Sequence, residues 1–161
     1  MKSTGEVMGL DKNFLSAFIK SQIASGTNLP ENGNVFLSVD DNNKNKLLPI
    51  AKKLKQLNFK LIATKGTAAY LDDNGLEVTI INKVKEGSPH IVNLLLSQKI
   101  DLVINTTKTQ HSITDSYSIR RISFMNNIPY YSTMAGAKVA VDAIEVLGGN
   151  NLTVKSLQSI N

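Results

Sequence analysis

The chain has 161 residues, a formal net charge of +5, no cysteine and two histidines. A single domain of this length buries about two thirds of its unfolded surface, and without thiols there is no disulfide framework, thiolate metal site or cysteine nucleophile. Residues 1–6 lack the apolar run of a signal peptide, and no stretch approaches the roughly 20 apolar residues of a membrane span, so the expectation is a soluble, cytoplasmic protein whose partner is anionic.

Residues 2–9 are polar and glycine-containing and read as an exposed lead-in. From Asp11, a candidate N-cap, Phe14, Leu15, Phe18, Ile19 and Ile23 recur at helical spacing until Gly26. Pro30-Glu31-Asn32-Gly33 is a turn, and Val35-Phe36-Leu37-Ser38-Val39 is the short apolar run of a buried strand. The loop Asp40-Asp41-Asn42-Asn43-Lys44 leads to a helix with Leu47, Ile50, Ala51, Leu54 and Leu57 on one face, Pro49 near its first turn and Asn58 as a left-handed cap. The second strand, Phe59-Lys60-Leu61-Ile62-Ala63, runs into Thr64-Lys65-Gly66-Thr67, a short polar loop before a helix over residues 68–73 that Gly75 stops. Thr67 reads equally as a plain N-cap there.

Residues 76–81 predict a third strand, and Ser88-Pro89 the N-cap and first position of an apolar helix through residue 96. Residues 100–104 predict a fourth strand, followed by the loop Asn105-Thr106-Thr107 and a helix over residues 114–126. Residues 128–131 form a fifth strand that Pro129 confines to a strand start or a sheet edge. A last helix over residues 134–147 turns Ala137, Ala140, Val141, Ile144 and Leu147 inward and stops at Gly148-Gly149. The tail beyond predicts no element.

Strands alternating with crossover helices imply an α/β fold, a doubly wound, mainly parallel sheet of five strands with helices on both faces. Such sheets bind ligands beyond the carboxyl ends of their strands. The residues leaving those ends are Ser38, Asp40 and Lys44; Thr64, Lys65, Gly66 and Thr67; Asn82 and Lys83; Asn105, Thr106 and Thr107; Ser132 and Thr133. Nearly all are donors, and ammonium groups beside hydroxyls and a glycine-containing helix start suit a phosphate with a polar body. Nucleic acid is disfavoured, because the lysines are scattered and the few aromatics do not interleave with them.

The candidates for acid-base chemistry are Asp40, Asp41, Glu86, His90, His111 and Asp115, most of which have plain alternatives in capping, packing or solvation. Arg120-Arg121 are adjacent on a helix and point in different directions. GxGxxG, Walker, nucleophile-elbow and HExxH patterns are absent from the sequence.

Lys2-Ser3-Thr4-Gly5-Glu6-Val7-Met8-Gly9, Ala63-Thr64-Lys65-Gly66-Thr67-Ala68, Asn82-Lys83-Val84 with Glu86-Gly87, Ile104-Asn105-Thr106-Thr107, and Asp115-Ser116 with Ile119-Arg120-Arg121 together form a pattern. It closely resembles the C-terminal allosteric, methylglyoxal synthase-like domain of the carbamoyl phosphate synthetase large subunit, over essentially the whole chain. The resemblance implies a junction segment over residues 1–10, the regulatory domain over 11–150 and a tail over 151–161. It implies a domain without chemistry or cofactor of its own that binds a nucleotide monophosphate such as UMP or IMP. Its partners would be the synthetase domains of the same parent, which uses ATP and Mg2+, and through that parent a glutaminase small subunit, in pyrimidine or arginine biosynthesis.

Carried over by position, the phosphate would meet Lys44, Thr64, Gly66, Thr67 and Lys83. Ser38, Asn105, Thr106, Thr107, Asp115, Ser116 and Ile119 would line the sugar and base, and Tyr130 and Ser132 match an ornithine site at the synthetase junction of some relatives. Ser132 departs from the threonine usual there. The rival is a free-standing methylglyoxal synthase acting on dihydroxyacetone phosphate. That family's aspartate loop reads Glu86-Gly87-Ser88 here, and its histidine after the first strand is missing.

Overall fold

A computed structural model of the chain describes residues 2–3, 5–106 and 110–148, without the side chains of residues 2, 3, 85 and 110–115. In chain order the elements are β1 (Lys2–Ser3), β2 (Glu6–Val7), α1 (Phe14–Ala24), β3 (Gly33–Ser38), α2 (Lys44–Gln56), β4 (Phe59–Thr64), α3 (Lys65–Asp72), β5 (Thr79–Ile81), α4 (Ile91–Leu96), β6 (Leu102–Asn105), α5 (Gln110–Met125), β7 (Tyr130–Tyr131) and α6 (Met134–Leu147). Single 3₁₀ turns over Asp41–Asn43 and Val84–Glu86 follow β3 and β5.

β1 and β2 pair as an antiparallel hairpin turned at Gly5, whose φ of 86° favours glycine, so part of the polar lead-in has structure. The other five strands form one parallel sheet in the order β5-β4-β3-β6-β7. The chain enters at the middle strand, winds out through β4 to β5, then crosses back to β6 and β7. The switch point lies between β3 and β6, where Ser38 pairs with Asn105.

Strand alternation divides the core. Val35, Leu37, Leu61, Ala63, Leu102 and Ile104 meet Leu47, Ile50 and Leu54 of α2, Leu71 of α3, and Val141 and Ile144 of α6. Phe36 and Val103 face the other way, onto Ile91 and Leu95 of α4 and Ile119 of α5. The doubly wound sheet with helices on both faces, expected from the sequence, is the observed fold.

Several local expectations are corrected. α1 is capped by Asn13, whose Oδ1 accepts from the N–H groups of Leu15 (2.8 Å) and Ser16 (3.4 Å), while Asp11 pairs instead with Lys20 at 2.6 Å. Of the apolar α1 positions only Ile19 is fully buried; Phe14 and Ile23 are exposed, because this helix packs mainly on α6 and touches the sheet at its edge, where the Tyr131 hydroxyl donates to Gln22 Oε1. α2 begins at Lys44, which puts Pro49 one turn later than expected. β4 passes directly into α3 with no loop between them, so Thr64 is the N-cap and Thr67 lies inside the helix.

The third strand keeps only Thr79–Ile81, paired with Ile62, Ala63 and Thr64 of β4. α4 is capped by His90, whose backbone N–H donates to Asn93 Oδ1 at 3.0 Å, and Ser88-Pro89, a cis peptide, precedes it. Asn58 (φ 63°) and Gly75 (φ 80°) take the left-handed conformation expected of them, and β7 is the edge strand that Pro129 implied. Among the described residues no helix is long and apolar enough to cross a membrane.

Candidate functional site

β3 carries Ser38 to the carboxyl edge of the sheet between Thr64 of β4 and Asn105 of β6, because the three strands are parallel neighbours in register. The Thr64 hydroxyl donates to Ser38 Oγ at 3.4 Å. One turn into α3, Thr67 is only 2% exposed, and its Oγ1 accepts the N–H of Val39 at 3.2 Å. That bond leaves the hydroxyl proton of Thr67 available to another acceptor.

The start of α3, like those of α2 and α4, carries no side-chain cap. Asn13 and Thr133 cap α1 and α6 with their side chains, whereas Thr64 makes no side-chain hydrogen bond to the first turn of α3. Lys44 of α2 reaches across to this helix start: its Nζ lies 3.8 Å from where a Cβ on Gly66 would stand. A positive helix end and an ammonium group therefore face the same space, beside two threonine hydroxyls.

Lys44 is paired there with Asp41, Nζ to Oδ1 at 2.8 Å. The hydrogen bond and charge of Lys44, with a smaller contribution from the Lys83 charge, hold the Asp41 carboxyl below the ordinary carboxylate value. Lys83 leaves β5 on the same edge; its backbone N–H donates to Glu86 Oε2 at 3.0 Å and its side chain is exposed. The five residues expected at a phosphate thus share one corner of the sheet edge.

The loops after β3 and β6 are bonded to each other. Thr106 N–H donates to the Ser38 carbonyl (3.0 Å), and Asp40 Oδ2 accepts from the Thr106 hydroxyl (3.1 Å) and from Asn43 Nδ2 (2.6 Å). Asn43 is a structural bridge that sequence reasoning missed, since an asparagine in a polar loop looks like any other solvated turn residue. Asp41 as the partner of Lys44 is legible only in its i, i+3 spacing.

Asn105 is 3% exposed and spends both amide hydrogens, one on Ser116 Oγ (3.1 Å) and one on Tyr130 OH (3.0 Å). Ile119 is buried in the α4–α5 side of the core. Thr107 and the side chain of Asp115 lie outside the described residues, as do the His111 side chain and residues 151–161.

Tyr130 and Ser132 line a separate cavity of about 400 Å³ with Gln22, Thr27, Arg120 and Phe124. The Arg120 guanidinium sits 5.3 Å over the Tyr130 ring. Tyr130 therefore touches both regions, through its hydroxyl to Asn105 and through its ring to this cavity. Among the described residues no cluster of histidine and carboxylate side chains could hold a metal ion.

A parallel sheet with this order, with hydroxyls and lysines along its carboxyl edge, defines a class, and the chain belongs to the MGS-like domain family, whose profile matches residues 46–132. Its fold is shared with the crystal structure of methylglyoxal synthase from Elizabethkingia anophelis NUHP1, at TM-score 0.56 and 22% identity over 70% of this chain and 79% of that one. Among curated proteins it is similar to the carbamoyl phosphate synthase large chain of Rhizobium meliloti (strain 1021), 48% identical over 99% of this chain and 14% of that protein. It is also 46% identical, over its full length, to 30% of the carbamoyl phosphate synthase large chain, C-terminal section, of Methanopyrus kandleri. The chain thus spans less than a third of each of these relatives.

Proposed function

We propose that this chain is the regulatory domain of a glutamine-dependent carbamoyl phosphate synthetase large subunit, binding a nucleotide monophosphate of the UMP or IMP type. Its similarity to carbamoyl phosphate synthase large chains supports the regulatory assignment. The observation that carries the ligand class is the placement of the Lys44 ammonium over Gly66 at the start of α3, flanked by Thr64 and Thr67. A phosphate there takes backbone N–H donors, a threonine hydroxyl and Lys44, with Lys83 at the rim. The sugar and base then extend along Ser38, Thr106 and the Asn105–Ser116 pair.

The domain acts by binding and not by turnover. Glu86, the carboxylate nearest the aspartate loop of the lyase family, accepts a backbone N–H at the turn after β5, and Ser88 stands where a base would be required. The binding energy is transmitted to the ATP- and Mg2+-dependent synthetase domains of the same parent, in pyrimidine or arginine biosynthesis in the cytoplasm, with a glutaminase small subunit supplying ammonia. The Tyr130–Ser132 cavity is the place for ornithine, where the domain responds to it.

Calorimetric titration with UMP, IMP and phosphoribosyl pyrophosphate tests this reading. We expect one of the monophosphates to bind, and Lys44→Ala to weaken it about ten- to 150-fold through loss of one charge-assisted hydrogen bond. Absence of binding by all three, or unchanged affinity in Lys44→Ala, would overturn it.

A further inference from the structure

Lys44 does not face its site alone. The carboxylate of Asp41 holds its ammonium at 2.8 Å, and the two side chains have unlike surroundings: that of Lys44 is 21% exposed and that of Asp41 91%. The lysine is held between α2 and the start of α3, whereas the aspartate side chain reaches it from solvent. The backbone of Asp41 is fixed by the 3₁₀ turn, where Asp40 Oδ1 accepts from Asn42 N–H at 3.1 Å and the Lys44 N–H donates to the Asp41 carbonyl. Its carboxylate is therefore a tethered anion on a fixed base, free to rotate away.

We propose that Asp41 is the built-in counter-anion of the effector site: it occupies Lys44 when no ligand is bound, is displaced by the incoming phosphate, and so sets the affinity for that phosphate downward. The inference rests on the phosphate reading of the site given above. A doubly charged phosphate bonded to Lys44 takes the place of the carboxylate and repels it, and Lys83, whose charge also acts on Asp41, is drawn to whichever anion is present. Loss of the carboxylate removes both the pair to be broken and the repulsion. Exposed pairs of this kind are weak, so the expected gain is about three- to tenfold.

The test is a double-mutant cycle on the full chain, with UMP, IMP and inorganic phosphate as probes at matched ionic strength. Asp41→Asn keeps the size of the side chain and its position in the turn, and Asp41→Ala repeats the measurement without a polar group. Both should bind the responding probes about three- to tenfold more tightly than the parent. In a Lys44→Ala background the same changes should give no gain, and Glu31→Gln, an exposed carboxylate beyond the opposite end of β3, should leave affinity unaltered.

Equal or weaker binding by both Asp41 variants, a gain that persists without Lys44, or an equal gain from Glu31→Gln would overturn the proposal. If Lys44→Ala weakens binding while Asp41→Asn and Asp41→Ala do not strengthen it, the phosphate site stands and only the counter-anion fails. If no probe binds the parent chain, both readings fall together.

Discussion

Lys83 has its backbone N–H bonded to Glu86 at 3.0 Å and its side chain in solvent at the edge of the sheet. Two roles can therefore be separated: the backbone closes the turn after β5, and in the function proposed above the ammonium group attends to the phosphate. Lys83→Ala keeps the first and removes the second. We expect a ten- to 150-fold weaker nucleotide from the loss of a charge-assisted bond of about 1.5–3 kcal/mol, with stability changed by less than about 0.5 kcal/mol. Calorimetry and urea unfolding on the same preparation check both halves, and a variant that binds UMP and IMP as tightly as the parent would place the phosphate elsewhere. In an intact synthetase the variant should need more effector and still give most of the response at saturation, since weaker binding does not by itself change a ligand's preference between two states.

The helices α2 and α6 cover the same face of the sheet, and their outer surfaces are joined by charge. Lys53 of α2 bonds Asp142 (2.7 Å) and Glu145 (2.9 Å) of α6, and Lys138 bonds Asp142 at 2.8 Å. Burial alone would raise the Asp142 carboxyl, but the hydrogen bonds and charges of Lys138 and Lys53 outweigh it and hold the group below its ordinary value of 3.8. A carboxyl depressed in the fold contributes stability that is complete above its unfolded value and is lost as pH falls through the lower folded one. The hydrogen bonds that Lys53 donates to Asp142 and Glu145 raise its ammonium above 10.5, so its contribution is complete below that value and is lost as pH rises through the folded one. Asp142→Asn should accordingly cost about 1 kcal/mol at neutral pH, and the difference from the parent should shrink in acid, as pH falls below the ordinary carboxyl value of 3.8 and through the lower folded one. Urea unfolding at neutral and at acid pH measures it; an equal difference at both would show that packing, and not the ion pairs, is responsible.

At the scale of the molecule, the segment that follows the β1–β2 hairpin lies close against α1 at Gly9, beside the Lys20 contacts to Leu10 and Asp11. A Cβ on Gly9 would stand against the Ala17 carbonyl and within 2.6 Å of the Ser21 backbone nitrogen, and neither helix atom can give way as a side chain would. Gly9→Ala should therefore lift the first residues away from α1, at about 1–3 kcal/mol if the segment is strained in place. Faster tryptic cleavage after Lys12, at unchanged cleavage elsewhere, is the expected readout; an unaltered rate would mean that the segment is not held by this contact.

Apolar periodicity made most elements legible before any fold was known. The last helix was read with its observed bounds, residues 134–147, because Ala137, Ala140, Val141 and Ile144 form an uninterrupted buried stripe and Thr133 caps its start. Periodicity failed at α1, where Phe14 and Ile23 match the stripe but are exposed, because a helix lying on another helix covers a narrower strip than one lying on a sheet. It failed again at β5, since residues 76–78 are as strand-like as 79–81 and lie opposite β4, but the chain there is still tied to the end of α3, where the Leu76 N–H donates to the Leu71 carbonyl at 3.1 Å, and pairing starts only at Thr79.

Residue chemistry and the rule for parallel sheets directed attention to the strand ends, and hence to Lys44, Thr64, Gly66, Thr67 and Lys83. What the sequence determined by itself was which side chains could greet a phosphate and on which edge they would lie, because donor chemistry and strand direction are local properties. Tertiary structure decided which of them meet. That Lys44 stands over Gly66, that Thr67 bonds Val39, and that Asn43 and Asp40 tie β3's loop to Thr106 all follow from the order β4-β3-β6. Strand order is set by which buried faces pack together across tens of residues, and no short stretch of sequence carries that information.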